Sequence, residues 1–164
     1  MLLRRCLMLI ALAGCSNEAP AGPPSPDGAL FAREVYPLLL RDCAFSTCHG
    51  AQERFFRVVG PGRVRLDPLT MPDDPTTLEE LHLSYERARD MLADAPTAAE
   101  SLLLRKPLEA SAGGQSHLGA DDFGRNLYGS QSHPSYVTLA RWAGSQGVLP
   151  SLTDLPPPPS EPAP

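Results

Sequence analysis

Ala44, Phe45, Ser46 and Thr47 separate Cys43 from Cys48, and His49 and Gly50 follow the second cysteine directly. Two thiols beside one imidazole have two plain uses. In an oxidising compartment the thiols close a disulfide, which would secure a short loop without any cofactor. Alternatively they add across the two vinyl groups of a porphyrin while the imidazole reaches the iron from the same side, as in a c-type haem. The common haem-attachment spacing has two residues between the cysteines. Four require the intervening loop to bulge outward while the sulfurs keep their separation.

A haem bound this way leaves the second axial position of the iron to be filled. His117 stands in a glycine-flanked loop that is free to approach a porphyrin. Met71, followed by Pro72, offers a thioether but lies close in sequence to the attachment site. His133 suits a helix cap or the surface, and His82 and Met91 fall beside an apolar helical stripe where packing is the simpler role. An open or water-bound position is the remaining alternative. The choice matters, because a Met ligand raises the reduction potential, a His ligand lowers it, and a vacant site permits peroxidase-like chemistry. No other active site is visible: there is no glycine-rich phosphate loop and no Gly-x-Ser-x-Gly nucleophile motif. The pairs Asp73-Asp74 and Asp121-Asp122 read as loop solvation.

The other two cysteines belong to the start of the chain. Arg4 and Arg5 precede an apolar run from Cys6 to Ala13 and then small residues, the layout of a secretory signal. The run is too short to span a bilayer. Leu12-Ala13-Gly14-Cys15 resembles the lipobox of bacterial lipoproteins, which implies that residues 1–14 are removed and that Cys15 is lipidated through its thiol. An ordinary signal peptide with an incidental cysteine is the alternative. By the same resemblance, Ser16 after the lipid cysteine points to the periplasmic face of the outer membrane. Cys6 then leaves with the leader and Cys15 carries lipid, so Cys43 and Cys48 are the only thiols of the mature body.

Loss of Arg4 and Arg5 leaves 12 Lys and Arg against 19 Asp and Glu, a net charge of −7 that argues against nucleic acid as a partner. Nineteen prolines concentrate at 19–26 and 155–164, where they favour extended, solvated backbone. The expected organisation is therefore a signal peptide at 1–14, a flexible tether at 15–27, one domain at 28–148 and a Pro-rich disordered tail at 149–164.

Within the domain the periodicities are helical, and the expected fold is mainly α, about three helices with long irregular loops. One helix covers residues 29–41, with Phe31, Val35, Leu38 and Leu39 on one face and Pro37 bending it or delaying its start. A second begins after Thr76 or Thr77, with Glu79 or Glu80 completing a capping box, and buries Leu78, Leu81, Tyr85, Ala88 and Leu92. A third begins at Pro134 and places Tyr136, Leu139, Trp142 and Ala143 on one side before Gly144. Residues 55–66 flank Gly60-Pro61-Gly62 and predict a hairpin or an open loop. Residues 109–131 predict an irregular loop.

Several segments, in order, resemble the cytochrome c-like domains of planctomycete and myxobacterial exported proteins: Phe31, Val35-Tyr36-Pro37-Leu38, Cys48-His49-Gly50, Ser101 to Leu108, Gly113-Gly114-Gln115-Ser116-His117, and the closing Tyr136, Leu139 and Trp142. The resemblance covers most of residues 31–147. It implies a cytochrome c-like fold, in which first and last helices cross beside a haem wrapped by irregular loops. It implies haem c held by Cys43 and Cys48, with His49 as proximal ligand and His117 as distal ligand. The expected function is a membrane-anchored, monomeric electron carrier rather than an enzyme, with redox proteins of the envelope as partners and the membrane reached through lipid on Cys15. A haem-free structural or binding lipoprotein with a disulfide between Cys43 and Cys48 is the alternative.

Overall fold

A computed structural model of the chain describes residues 24–93, 95–118 and 126–157. The expected leader, Cys15 and most of the tether lie outside the described residues, as do residues 158–164 of the expected tail.

The first helix, α1, runs through residues 28–42 in three consecutive pieces: an α turn at Gly28–Leu30, a π-helical stretch at Phe31–Val35 and an α-helical stretch at Tyr36–Asp42. Asp27 caps it, its carboxylate accepting from the Leu30 amide at 2.6 Å. The π stretch answers Pro37, which has no N–H to donate and whose ring crowds the carbonyl four residues back. Just before it the turn widens, and the Tyr36 amide reaches five residues back to the Phe31 carbonyl. The bend or late start expected of Pro37 is replaced by one wide turn.

The second helix, α2, spans Leu78–Asp90 with Thr77 as its N-cap. The Thr77 hydroxyl accepts from the Glu80 amide at 3.2 Å and the Glu80 carboxylate accepts from the Thr77 amide at 3.1 Å, a complete capping box. Replacing Thr77 by Ala is expected to cost about 1 kcal/mol, read as a lower denaturant midpoint with an unchanged slope. A short helix, α3, occupies Leu102–Arg105 after a 3-10 turn at Ala98–Glu100. The last helix, α4, spans Pro134–Ala143, and the His133 ring accepts from the Ser135 amide as its N-cap.

Helices α1, α2 and α4 meet in an aromatic cluster. Phe31 lies edge-on to Tyr85 at 5.3 Å between ring centres and tilted on Trp142 at 5.2 Å, and Tyr85 and Trp142 stand 5.9 Å apart. All three rings are buried, and the Trp142 indole N–H donates to the Asp27 carbonyl, so the polar edge of the largest core side chain is satisfied. The first and last helices are thereby packed together at the N-terminal end of α1. This leaves the C-terminal end of α1, where the cysteines lie, to face the loops.

No strand occurs among the described residues. Residues 55–66 form an open loop, in which Gly60 takes a positive φ and passes so close to Tyr36 that a Cβ there would lie 2.2 Å from the phenol oxygen. That phenol donates to the Val59 carbonyl at 2.7 Å. Leu108 and Tyr128 form an isolated parallel bridge across the expected loop 109–131, and a 3-10 turn occupies Ala110–Ala112. The stretch assigned to the start of a disordered tail is fastened: Pro150 is buried, its carbonyl bonds the His82 ring at 2.8 Å, and a capped 3-10 turn follows at Leu152–Asp154. The end of the expected tether is fastened too, with the Gly147 amide donating to Ser25 and the Tyr85 phenol to Pro26.

Candidate functional site

Cys43 closes α1 as its C-cap, buried, with its amide donating to the Leu39 carbonyl. The four residues after it fold into a tight double turn in which the Cys48 and Gly50 amides both donate to the Phe45 carbonyl, at 2.8 and 3.0 Å. The His49 amide then reaches the Cys43 carbonyl at 3.1 Å. The four intervening residues thus form a turn that brings the His49 backbone back to Cys43. Gly50 is needed for it, because a Cβ there would stand 2.7 Å from the Ala44 carbonyl oxygen.

Both cysteines are free thiols in this structure. Burial, with the Asp42 carboxylate and Cys48 adding to it, pushes the Cys43 thiol up to about 12. It stays protonated at neutral pH, which does not suit a catalytic nucleophile or a thiolate ligand. Among the described residues no group of three or more His, Cys, Asp or Glu side chains is gathered to hold a metal ion, so the two thiols and two nearby imidazoles do not form a zinc-type cage.

The nearby imidazoles are His49 and His117. Their ring planes lie within 12° of parallel and their centres are 5.9 Å apart. The Nδ1 atom of each is engaged: His49 Nδ1 lies 2.9 Å from the Phe56 carbonyl oxygen, and His117 Nδ1 lies 3.2 Å from Asn126 Oδ1. A carbonyl only accepts, so His49 Nδ1 carries the proton and its Nε2 keeps a free lone pair. Burial lowers the His49 pKa, with His117 and Arg54 lowering it further against the Phe56 carbonyl, which keeps the ring neutral at pH 7. Two imidazoles bonded to one metal ion through Nε2, at about 2 Å each, stand with ring centres about 6 Å apart. The observed pair has that spacing.

Two cavities meet at this pair. The larger, about 680 Å³, runs from Leu39 and Cys43 at the end of α1 to Met91 after α2, Leu103 of α3 and Leu139 of α4. The smaller, about 480 Å³, is bounded by Thr47, Cys48, Ser116 and Leu118. His49, Arg54, Lys106 and His117 line both. A flat apolar group passing between the imidazoles would thus have one cysteine on each of two adjoining walls, and the larger cavity lies within the size range of pockets for small organic ligands. Phe55, Leu102, Leu118 and Leu127 are exposed apolar side chains at the rim.

Met71, the other candidate ligand, is exposed and lines neither cavity. His82 is bound to the Pro150 carbonyl, and His133 caps α4 and stacks on Tyr128 at 4.9 Å. Met91, read from the sequence as packing, lines the larger cavity. Asn126 and the Phe56 carbonyl, which hold the two imidazoles, carry no sequence signal of their own. Among the described residues no helix is long and apolar enough to cross a membrane. No family model matches the chain, and no curated protein or solved structure does.

Proposed function

We propose that this chain is a lipid-anchored c-type cytochrome that binds one haem through thioethers to Cys43 and Cys48, with His49 and His117 as axial ligands, and carries electrons in the cell envelope. The observation that carries the reading is the imidazole pair itself: two near-parallel rings 5.9 Å apart, each tied at Nδ1, at the junction of two cavities lined by the two thiols. The packing of α1 against α4 beside these cavities suits a cytochrome c-like fold. Haem iron supplies one-electron reduction and oxidation. The protein's own residues do the rest. Cys43 and Cys48 would hold the macrocycle covalently, His49 and His117 would ligate the iron, and Leu39, Leu103 and Leu139 would exclude water. Two nitrogen ligands would favour an electron carrier over a peroxidase-like enzyme and would give a lower potential than a Met ligand.

The apolar rim at Phe55, Leu102, Leu118 and Leu127 suits docking of a redox partner from the envelope, with the chain acting as a monomer. Lipid on Cys15 would hold the domain to the membrane, most simply at the periplasmic face of the outer membrane. The nine residues between Cys15 and the fastened Ser25 would then allow a reach of roughly 30 Å.

The test is to express the full chain with a cytochrome c maturation system, denature it, and record the pyridine haemochrome spectrum. Haem should remain with the polypeptide, and a variant with both Cys43→Ser and Cys48→Ser should lose all of it. A colourless wild-type chain with Cys43 and Cys48 joined would replace this reading by the haem-free lipoprotein.

A further inference from the structure

We infer that Asn126 is the positioning residue that presents His117 to the iron, by fixing which of its ring nitrogens carries the proton. The inference rests on the haem reading for the identity of the metal, but the geometry stands apart from it. Asn126 Nδ2 donates to the Lys106 carbonyl and to the Leu108 carbonyl, the latter at 3.3 Å. Both partners only accept, so the amide has one orientation and Oδ1 must face the other way. Oδ1 accepts from the Leu127 amide at 3.0 Å and lies 3.2 Å from His117 Nδ1. A carbonyl-type oxygen in that place requires Nδ1–H on His117. Nε2 is left with its lone pair, the form a metal binds.

Asn126 is itself held at the edge of the core. The Leu108–Tyr128 bridge, with the Glu109 amide donating to Tyr128 and the Tyr128 amide to Pro107, fixes the backbone two residues on. The buried Tyr128 phenol donates to Asp42, the neighbour of Cys43. From the loop's other side Lys106 Nζ donates to the Ser116 carbonyl, next to His117. The distal imidazole is thus suspended from the same segment that touches the cysteine end of α1. Free imidazole in histidine favours the other neutral tautomer, so without Asn126 the ring would present Nε2–H and ligation would first require the proton to move.

The experiment is a double-mutant cycle on the matured full chain, reading the affinity of the oxidised protein for cyanide. Asn126→Ala should raise apparent cyanide affinity about 10–100-fold, because His117 is displaced more easily. In a His117→Ala background the same change should leave the affinity unaltered. An equal gain in both backgrounds, or none in either, would overturn the inference. A second measurement needs no variant and no haem: 15N NMR of the full chain should show neutral His117 as the Nδ1–H form. The Nε2–H form would overturn the role of Asn126, whereas absence of covalent haem would overturn only the function proposed above.

Discussion

A His117→Ala variant of the matured chain is expected to bind external imidazole about 10²–10⁴-fold more tightly than the wild type. On the proposed ligation, an outside ligand would compete in the wild type with a tethered side chain whose local concentration is far above any concentration in solution. His117 lines both cavities and faces His49 at 5.9 Å, so its removal opens a position without removing a wall of the core. Spectrophotometric titration with imidazole measures the effect. An unchanged affinity would take His117 out of the iron's coordination. His117→Met is expected to move the reduction potential upward, because a thioether favours the reduced iron more than an imidazole does.

The largest loss of stability is expected at Glu80. Its side chain and that of Arg65 are almost wholly buried, 1% and 4% exposed, and two parallel bonds of 2.8 Å join them. Glu80 also accepts from the Leu66 and Thr77 amides at 3.1 Å each, while Arg65 donates to the carbonyls of Asp74 and Pro75. One ion pair therefore fastens residues 66–77 to the start of α2. Glu80→Gln leaves the guanidinium buried without its counter-charge and should cost about 3–5 kcal/mol in denaturant unfolding. Burial alone would raise the Glu80 carboxyl, but the bonds from Arg65 and the two amides outweigh it and hold its pKa below 4.5. A lowered folded-state value means that this share of stability is fully present above about pH 4.5 and is lost as the pH falls through the folded value. The Gln variant should lack that part of the acid-side decline.

Short-range signals in the sequence translated directly into structure. Thr77 and Glu80 form the expected capping box, Pro134 and Gly144 bound the last helix, and Phe31, Tyr85 and Trp142 are core residues as their helical spacing implies. The adjacency of Cys48 and His49 is local too, and His117 was marked by its glycine-rich surroundings. What escaped depends on contacts between distant segments. The wide turn before Pro37 forms where Phe31 is pinned by Tyr85 and Trp142, and a lone periodicity carries no trace of that. Glu80 reads as a cap residue, which it is, but nothing local says that Arg65 folds back onto it. Asn126 sits in a polar stretch where an asparagine is ordinary, and only the three-dimensional position of two carbonyls and one imidazole gives it a role. Residues 149–155 read as the start of a tail because prolines follow, yet His82 bonds the Pro150 carbonyl and a capped 3-10 turn occupies Leu152–Asp154.

The central claim, a covalently held haem between His49 and His117, is tested most directly by the electron paramagnetic resonance spectrum of the oxidised, matured full chain. Two nitrogen ligands with ring planes 12° apart predict a rhombic low-spin iron signal, the signature of near-parallel axial imidazoles. A high-spin signal, or no haem iron signal at all, would contradict it.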